Sequence, residues 1–178
     1  MKCYRPFLFV AAVVALVALI WSRIMPSDSR GTAVRIGHPK DGRVEKTDAE
    51  WKAELAPDAY RVARQSGTER AFTGATWDTK SDGVYKCVCC GQTLFDSKTK
   101  FDSGTGWPSF WEPADEEAVS LFGDGGMMGM RVEVTCSRCD AHLGHVFDDG
   151  PKPTGERHCL NSVSLGFVPK GDALPLKS

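Results

Sequence analysis

The sequence has almost no net charge, because 22 Lys and Arg residues are balanced by 23 Asp and Glu residues. A protein that binds nucleic acid normally carries a basic face, so this balance argues against nucleic acid as a partner. It does not suggest an acidic solubility tail either. The 178 residues suit one domain of about 100–150 residues with a terminal extension.

Helical periodicity is scarce beyond two short N-terminal segments. Thr47 followed by Glu50 is a capping-box pattern that predicts a short helix. Pro57 can occupy the first turn of a second helix, which runs to about Gln65 and stops near Gly67. Most of the core is therefore expected to be antiparallel β-structure.

Short runs of β-forming residues follow these helices, separated by turn-forming Gly, Asp, Ser and Thr. Two of the expected strands lead directly into a C-x-x-C turn, and no other internal repeat is visible. The last strand contains Gly166, a possible bulge. The expected strands are residues 83–87, 93–95, 130–135 and 162–168.

The longest apolar run is residues 7–21, which Lys2 and Arg5 precede. Such a run is either a signal peptide or an uncleaved membrane anchor. It is shorter than the roughly 20 residues that span a bilayer, but it reaches residue 25 if Arg23 snorkels. No small-residue cleavage site follows, so we expect residues 1–25 to anchor a domain outside the cytoplasm. The alternative is export followed by signal cleavage.

The remaining boundaries follow from composition. Residues 26–45 are rich in Ser, Asp, Gly, Pro and Arg without an apolar period, which is typical of a linker. We expect the folded domain to span residues 46–170 and a tail to cover residues 171–178.

Seven cysteines are many for this length, and four of them form two C-x-x-C pairs: Cys87 with Cys90, and Cys136 with Cys139. Two such turns can surround one tetrahedral zinc ion with four thiolates, and a site without an open position is structural. Cys89 could compete for the ion, but the two-residue spacing favours Cys90.

Other uses of these cysteines remain open. Two disulfides would suit an exported domain, and soft sulfur ligands also bind iron, as in an electron carrier. A thioredoxin-type redox pair is disfavoured because no βαβ pattern surrounds either pair. His142 and His145 follow the second pair and could be ligands. Four cysteines already satisfy one ion, so these imidazoles are instead candidate proton donors.

Cys159 stands apart from both pairs. A single cysteine in a strand is usually a buried apolar residue. In an extended strand, however, Arg157, Cys159 and Asn161 would project from one face. A guanidinium beside a thiol favours the thiolate, so Cys159 is a candidate nucleophile.

Three aromatic residues and two glycines fall within residues 104–111. This segment could be a packed turn of the core. It could also form an aromatic wall, including Trp107, for an apolar group such as an S-methyl. A membrane-tethered metal scaffold that grips a partner through this turn is a rival to the enzyme hypothesis.

Three long strings now identify a family resemblance: KFDSGTGWPSFWEP, CSRCDAHLGHVFDDGP and TGERHCLNSVSLGF. They closely resemble the B-type methionine sulfoxide reductases, which act on the R epimer. The resemblance covers roughly residues 46–168 and includes DAEWKAELAPDAYRVARQSGTERAF in the helical region. It implies two antiparallel sheets in a tent-like arrangement, stapled by zinc at the two C-x-x-C pairs.

The resemblance also implies roles for the site residues. Cys159 would attack the sulfoxide sulfur of oxidised protein or peptide methionine, and Arg157 would hold its thiolate. His145 would donate the proton, while His142 and Asn161 position substrate and water. Trp107 would contact the methyl group. The product on the enzyme would be a Cys159 sulfenic acid.

One position departs from the family pattern. Many members carry a second cysteine where this chain has Thr105, and that cysteine forms a disulfide with the nucleophile. Either Cys89 or an external reductant must then act on the sulfenic acid. Because Cys89 lies inside a metal-binding turn, we expect an external donor, thioredoxin-like or another thiol.

Overall fold

The computed structural model describes residues 31–124 and 131–171. Its two helices are α1 (Asp48–Glu54) and α2 (Pro57–Gln65). Short 3-10 turns cover Ser97–Thr99, Glu116–Ala118 and Ser162–Ser164. The strands are β1 (Thr32–Arg35), β2 (Gly83–Cys87), β3 (Thr93–Asp96), β4 (Lys100–Phe101), β5 (Ser109–Phe110), β6 (Val119–Asp124), β7 (Arg131–Cys136), β8 (His142–Phe147), β9 (Arg157–Leu160) and β10 (Leu165–Pro169).

These strands form two antiparallel sheets, which confirms the expected mainly β fold class. The larger sheet has the order β1-β6-β7-β8-β9-β5-β4, and the smaller has the order β10-β2-β3. β9 carries Cys159 and lies inside the large sheet, between β8 and β5. Neighbours on both sides therefore fix the register of the strand that holds the candidate nucleophile.

Aromatic side chains join the two sheets. Phe110 of the large sheet packs with Tyr85 and Phe95 of the small one, at ring-centroid distances of 4.9 Å and 4.7 Å. Tyr85 also contacts Phe167 at 5.0 Å. Tyr85, Phe95 and Phe110 are fully buried. Large aromatic rings bury more apolar area than other side chains, so this contact forms the centre of the core.

Both helices begin, and the second helix ends, as their sequences predict. Thr47 and Glu50 form the complete capping box at the start of α1, and Pro57 opens α2. Buried Trp51 is the packing residue of α1. The guanidinium of Arg64 lies 5.0 Å from the Trp51 ring and donates a 2.7 Å hydrogen bond to the Cys139 carbonyl. The helices are thereby attached to the second C-x-x-C turn.

The linker expectation does not hold throughout residues 26–45. Within it, β1 pairs antiparallel with β6, at the edge of the large sheet. The Gly37 N–H also donates a 3.0 Å hydrogen bond to Ser120 Oγ. A four-residue strand has too little sequence to show a period, and its partner lies more than 80 residues away. Residues 26–30 lie outside the described part.

The expected strand over residues 162–168 begins later than predicted. Ser162–Ser164 form a 3-10 turn, and β10 starts at Leu165. The carboxylate of Glu69 accepts hydrogen bonds from the backbone N–H groups of Ser162, at 2.6 Å, and Val163, at 3.0 Å. These two N–H groups therefore cannot donate to a neighbouring strand, and the strand does not begin at Ser162. Gly166 is not a bulge, because it pairs in regular register with Lys86.

The membrane anchor or signal segment over residues 1–25 lies outside the described residues, as does nearly all of the tail over residues 171–178. Within residues 31–124 and 131–171, neither helix combines the length and the apolar character needed to cross a bilayer.

Candidate active site and metal centre

The two C-x-x-C turns meet at one point. The Sγ atoms of Cys87 and Cys139 lie 3.6 Å apart, as do those of Cys90 and Cys136, and all four sulfurs lie within 4.8 Å of one another. Each pair of neighbours thus joins one turn to the other. Cys89 lies outside this four-cysteine cluster.

The spacing of the four-cysteine cluster fits a metal ion. Zinc–sulfur bonds of about 2.3 Å in a tetrahedron place the sulfurs about 3.8 Å apart, close to the separation seen here. Contacts with Cys136 and Cys139, followed by burial, raise the pKa of Cys87 well above its ordinary value. Contacts with Cys136 instead lower the pKa of Cys90 and of Cys139, so a metal ion would neutralise the thiolate charge that gathers in this cluster.

The register of the large sheet builds a second site around Cys159. In Cα register, Glu133 of β7 lies opposite His145 of β8, and His145 lies opposite Cys159 of β9. Cys159 in turn lies opposite Ser109 of β5. Directly opposite residues in antiparallel strands project from the same face. The sheet therefore gathers a carboxylate, an imidazole, a thiol and a hydroxyl in one row.

A glycine allows β8 and β9 to approach closely at this row. A side chain on Gly144 would place its Cβ 2.1 Å from the carbonyl oxygen of Cys159, a distance that no real contact tolerates. The pairing of β7 with β8 is also irregular just before Gly144. This irregularity lets the rings of His142 and His145 meet at a centroid distance of 5.5 Å, although they are three residues apart.

His142 is held by a carboxylate and not by the four-cysteine cluster. Its Nδ1 lies 2.6 Å from Glu133 Oε1, and its side chain is only 4% exposed. A proton on Nδ1 between these two atoms leaves Nε2 as the acceptor of a neutral imidazole. Within the described part of the chain, that buried Nε2 has no hydrogen-bond partner. It is a buried nitrogen whose hydrogen-bonding capacity is unused in this structure.

Arg157 lies beside the thiol and is itself clamped. Its guanidinium donates two hydrogen bonds to Asp149, at 2.7 Å and 2.9 Å, and lies 4.4 Å from the Phe147 ring. This pairing lowers the pKa of Asp149. Because two of its N–H groups are bound to Asp149, the guanidinium of Arg157 has a fixed orientation, and its positive charge stays near Cys159.

The expectation that Cys159 is ionised by Arg157 needs correction. Burial raises the pKa of the Cys159 thiol above its ordinary value, and this effect outweighs the lowering by Arg157, Thr105 and Ser109. The thiolate loses more hydration on burial than one guanidinium restores. In this structure the thiol form of Cys159 is therefore favoured over the thiolate.

Asn161 and Trp107 share one anchor. Asn161 is buried, accepts a hydrogen bond from the Glu69 N–H at 2.9 Å and donates one to the Leu143 carbonyl at 3.1 Å. Trp107 Nε1 donates to the Glu69 carbonyl at 3.3 Å. Asn161 lies one residue beyond the end of β9, and its side chain is held by backbone groups of other segments. Trp107 is half-buried. Glu69 therefore positions both residues.

Sequence reasoning did not identify several of these supporting residues. Asp149 lies within the string that carries the family resemblance, and Glu133 occupies a polar position of an alternating strand, so both had a weak signal. Glu69 also lies within a string that resembles the family, but nothing local indicated its role, because its partners lie more than 90 residues later. Ser103 and Ser109 likewise lie within such a string, but the sequence did not indicate that their hydroxyl groups meet.

The two-sheet fold thus separates a four-cysteine cluster suited to a metal ion from a fifth cysteine, Cys159, that lies among polar side chains. The SelR domain matches residues 55–169. A peptide methionine sulfoxide reductase MsrB of Hahella chejuensis is 58% identical over 125 residues, which are 70% of this chain and 90% of that protein. The MsrB of Methanosarcina mazei is 53% identical over 130 residues, covering 73% and 93% of the two chains.

A further relative, the MsrB of Pseudomonas fluorescens, is 56% identical over 128 residues, or 72% of this chain and 98% of the relative. The chain belongs to the SelR family and, within it, to the MsrB-type methionine sulfoxide reductases.

Proposed function

We propose that this chain reduces the R epimer of methionine sulfoxide in proteins and peptides, with Cys159 as the nucleophile. The observation that carries the proposal is the cross-strand register that sets Cys159 opposite His145, beside the clamped Arg157. The four other cysteines near the metal centre are occupied with one another, whereas Cys159 faces polar groups.

The chemistry moves one oxygen and two electrons. Cys159 Sγ attacks the sulfoxide sulfur and forms a transient sulfur–sulfur bond. The sulfur–oxygen bond of the sulfoxide then breaks as the oxygen passes to Cys159, the sulfur–sulfur bond breaks to release methionine, and Cys159 is left as a sulfenic acid. Methionine sulfur is reduced by two electrons and Cys159 sulfur is oxidised by two. The thiol proton and the transferred oxygen make up the new S–O–H group, so the step needs no other reactant.

The neighbouring residues have separate tasks in this proposal. His145 gives a proton to the sulfoxide oxygen as its bond to sulfur breaks, and the imidazole recovers that proton from the Cys159 thiol. His142, oriented by Glu133, binds substrate or water through Nε2. Arg157 stabilises negative charge on the attacking sulfur. The half-buried Trp107 contacts the S-methyl group, which an aromatic face accommodates well.

An external thiol completes the cycle. Two thiols of a thioredoxin-like or other donor reduce the sulfenic acid, releasing water and forming the donor's disulfide. The position that many relatives fill with a second cysteine is Thr105 here, and it cannot form a disulfide. Cys89 lies beside the four-cysteine cluster, where its oxidation would disturb the ligands.

Zinc is the metal that we propose for the four-cysteine cluster. Four sulfur ligands at tetrahedral spacing suit it, and it would supply bonds that tie β2 and β7 together without taking part in the reaction. We also propose that residues 1–25 anchor the domain outside the cytoplasm, on the strength of the apolar run at residues 7–21.

The test uses the full chain, a peptide with each sulfoxide epimer, and a dithiol donor. We expect turnover of the R epimer alone, and a loss of at least about 10³-fold for Cys159→Ser, because the nucleophile is removed. Cys89→Ser is the matched control and should retain activity. Full turnover by Cys159→Ser would disprove the assignment of the nucleophile, and loss in Cys89→Ser would disprove direct external reduction.

A further inference from the structure

A continuous set of hydroxyl groups leads from the Cys159 sulfur to the backbone of Trp107. Thr105 Oγ1 lies 3.9 Å from Cys159 Sγ and 2.8 Å from Ser103 Oγ. Ser103 Oγ lies 2.7 Å from Ser109 Oγ, which lies 3.2 Å from the Trp107 carbonyl oxygen. Three hydroxyls thus connect a thiol with a carbonyl, and each has one proton to donate.

The direction of these hydrogen bonds follows from that count. A carbonyl oxygen only accepts hydrogen bonds, so the Ser109 hydroxyl donates its proton to the Trp107 carbonyl and must accept a hydrogen bond from Ser103. Ser103 must then accept from Thr105, whose own proton is spent in the same way. Thr105 is left as an acceptor for the thiol proton of Cys159. The resting arrangement therefore favours protonated Cys159.

Ionisation of the thiol breaks this order. A thiolate accepts but cannot donate, so Thr105 has to turn its proton toward the sulfur. Ser103 must then donate to Thr105 or to Ser109, and its resting role as acceptor from Thr105 ends. If Ser103 turns its proton toward Thr105, Ser109 can turn its own proton toward Ser103, and the Trp107 carbonyl then loses its donor. Because Thr105 holds one proton, Ser103 and Cys159 compete for it.

We propose that Ser103, Thr105 and Ser109 form a reversible hydroxyl relay that couples the protonation of Cys159 to the backbone of Trp107. In this relay Thr105 stabilises the thiolate, whereas Ser103 opposes it by holding the Thr105 proton. The inference rests on the proposed function, since it treats Cys159 as the nucleophile. It gives Thr105 a task in place of the second cysteine of its relatives.

The hydroxyls are close enough to act. After burial, which raises the pKa of Cys159, and Arg157, which lowers it, hydrogen bonds from Thr105 and Ser109 lower it further. Ser109 is fully buried, so water does not compete for its hydrogen bonds. The other charged or titratable groups near the thiol remain unchanged in the variants below: Arg157 and Asp149, His145 of β8, and Glu133 with its partner His142.

The test is the pH dependence of Cys159 alkylation in the full, metal-loaded chain, followed by mass spectrometry of the Cys159 peptide. Thr105→Val removes the donor and should raise the midpoint, while Ser103→Ala frees the Thr105 proton and should lower it. We expect shifts of about half to one pH unit, the worth of one hydrogen bond. Thr105→Ser should restore the original midpoint.

Thr79→Val is the matched control, because Thr79 donates to the Ala75 carbonyl away from the site and should leave the midpoint unchanged. Opposite shifts for the two relay variants support the relay. Shifts of the same sign, or none, overturn it. Alkylation needs no turnover, so an inactive chain with opposite shifts contradicts only the proposed function, and an active chain without them contradicts only the relay.

Discussion

The sulfurs of the four-cysteine cluster face one another, whereas the sulfur of Cys159 faces hydroxyl groups and a guanidinium. The cluster sulfurs approach to 3.6 Å in pairs that join two turns. Cys159 lies 3.9 Å from a threonine hydroxyl, with Arg157 clamped nearby. The same side chain is thus used for holding chain segments together in one place and for chemistry in the other.

The difference lies in what the sheet brings beside each thiol. β2 and β7 each end at a C-x-x-C turn, so their ends supply only sulfur ligands. β9 lies between β8 and β5, so its neighbours supply an imidazole and a hydroxyl from the same face. In this fold the ends of β2 and β7 supply four sulfur ligands and no other group, whereas the middle of the sheet places different kinds of side chain beside Cys159.

The largest expected effect separates the two regions by stability. Chelation of the metal, or Cys136→Ser, should lower the free energy of unfolding by more than about 5 kcal/mol, because structural metal binding is itself folding free energy. Since whole domains have only about 5–15 kcal/mol, the variant should be largely unfolded. Denaturant titration followed by circular dichroism, with metal content measured in parallel, checks this.

Two controls make this comparison sharp. Cys89→Ser changes a half-buried thiol outside the cluster and should cost little stability. Cys159→Ser should keep both metal and fold. A fully stable Cys136→Ser variant would show that the cluster does not hold the domain together.

A smaller effect is expected at Glu69, which supports the active site without contacting the four-cysteine cluster. Glu69→Ala leaves the N–H groups of Ser162 and Val163 without their acceptor. Each unpaired buried group costs about 1–3 kcal/mol, so we expect unfolding at a lower denaturant concentration. The loosened positions of Trp107 and Asn161 should also raise KM more than they lower kcat.

The conservative variant Glu69→Gln keeps one acceptor oxygen and should recover part of both losses. Glu116→Ala, at a side chain that is 83% exposed, serves as the control and should be neutral. Metal content should remain unchanged in all three. Loss of metal in Glu69→Ala would show that the two regions depend on each other.

Patterns within a few residues predicted the local features of both regions. The capping box of Thr47 and Glu50 and the C-x-x-C spacing of Cys87 and Cys90 involve neighbours in sequence, whose physics does not depend on the rest of the chain. The alternating apolar residues near Val134 likewise predicted a half-buried strand. The family resemblance added the roles of residues far apart.

Features that depend on distant partners were missed. β1 forms because the edge of β6 is open, and Ser162–Ser164 turn because Glu69 takes their donors. The pKa of Cys159 was expected to fall because Arg157 would share a strand face with it, but the effect of burial depends on the folded sheet. Both kinds of error arise because sequence spacing does not report desolvation or non-local hydrogen bonds.

The smallest expected effect concerns Arg157, the cationic side chain beside Cys159. Arg157→Met removes a charge whose attraction favours the thiolate, so the pKa of Cys159, already above its ordinary value, should rise further. We expect a shift of about one pH unit, since the guanidinium is shared with Asp149. Alkylation and R-epimer reduction should both move to higher pH, because both need the thiolate.

A control arginine distinguishes this local effect from a change in net charge. Arg61→Met removes the same charge from α2, where the side chain is half exposed, and should leave the pH profile of Cys159 in place. Asp149→Asn keeps the arginine but loosens its clamp, so it should produce a shift of the same sign and smaller size than Arg157→Met if clamping improves placement. A downward shift in Asp149→Asn would mean that Asp149 draws the guanidinium away from the sulfur. The clamp would then oppose the nucleophile, and Cys159 would owe its reactivity chiefly to the hydroxyls and to His145.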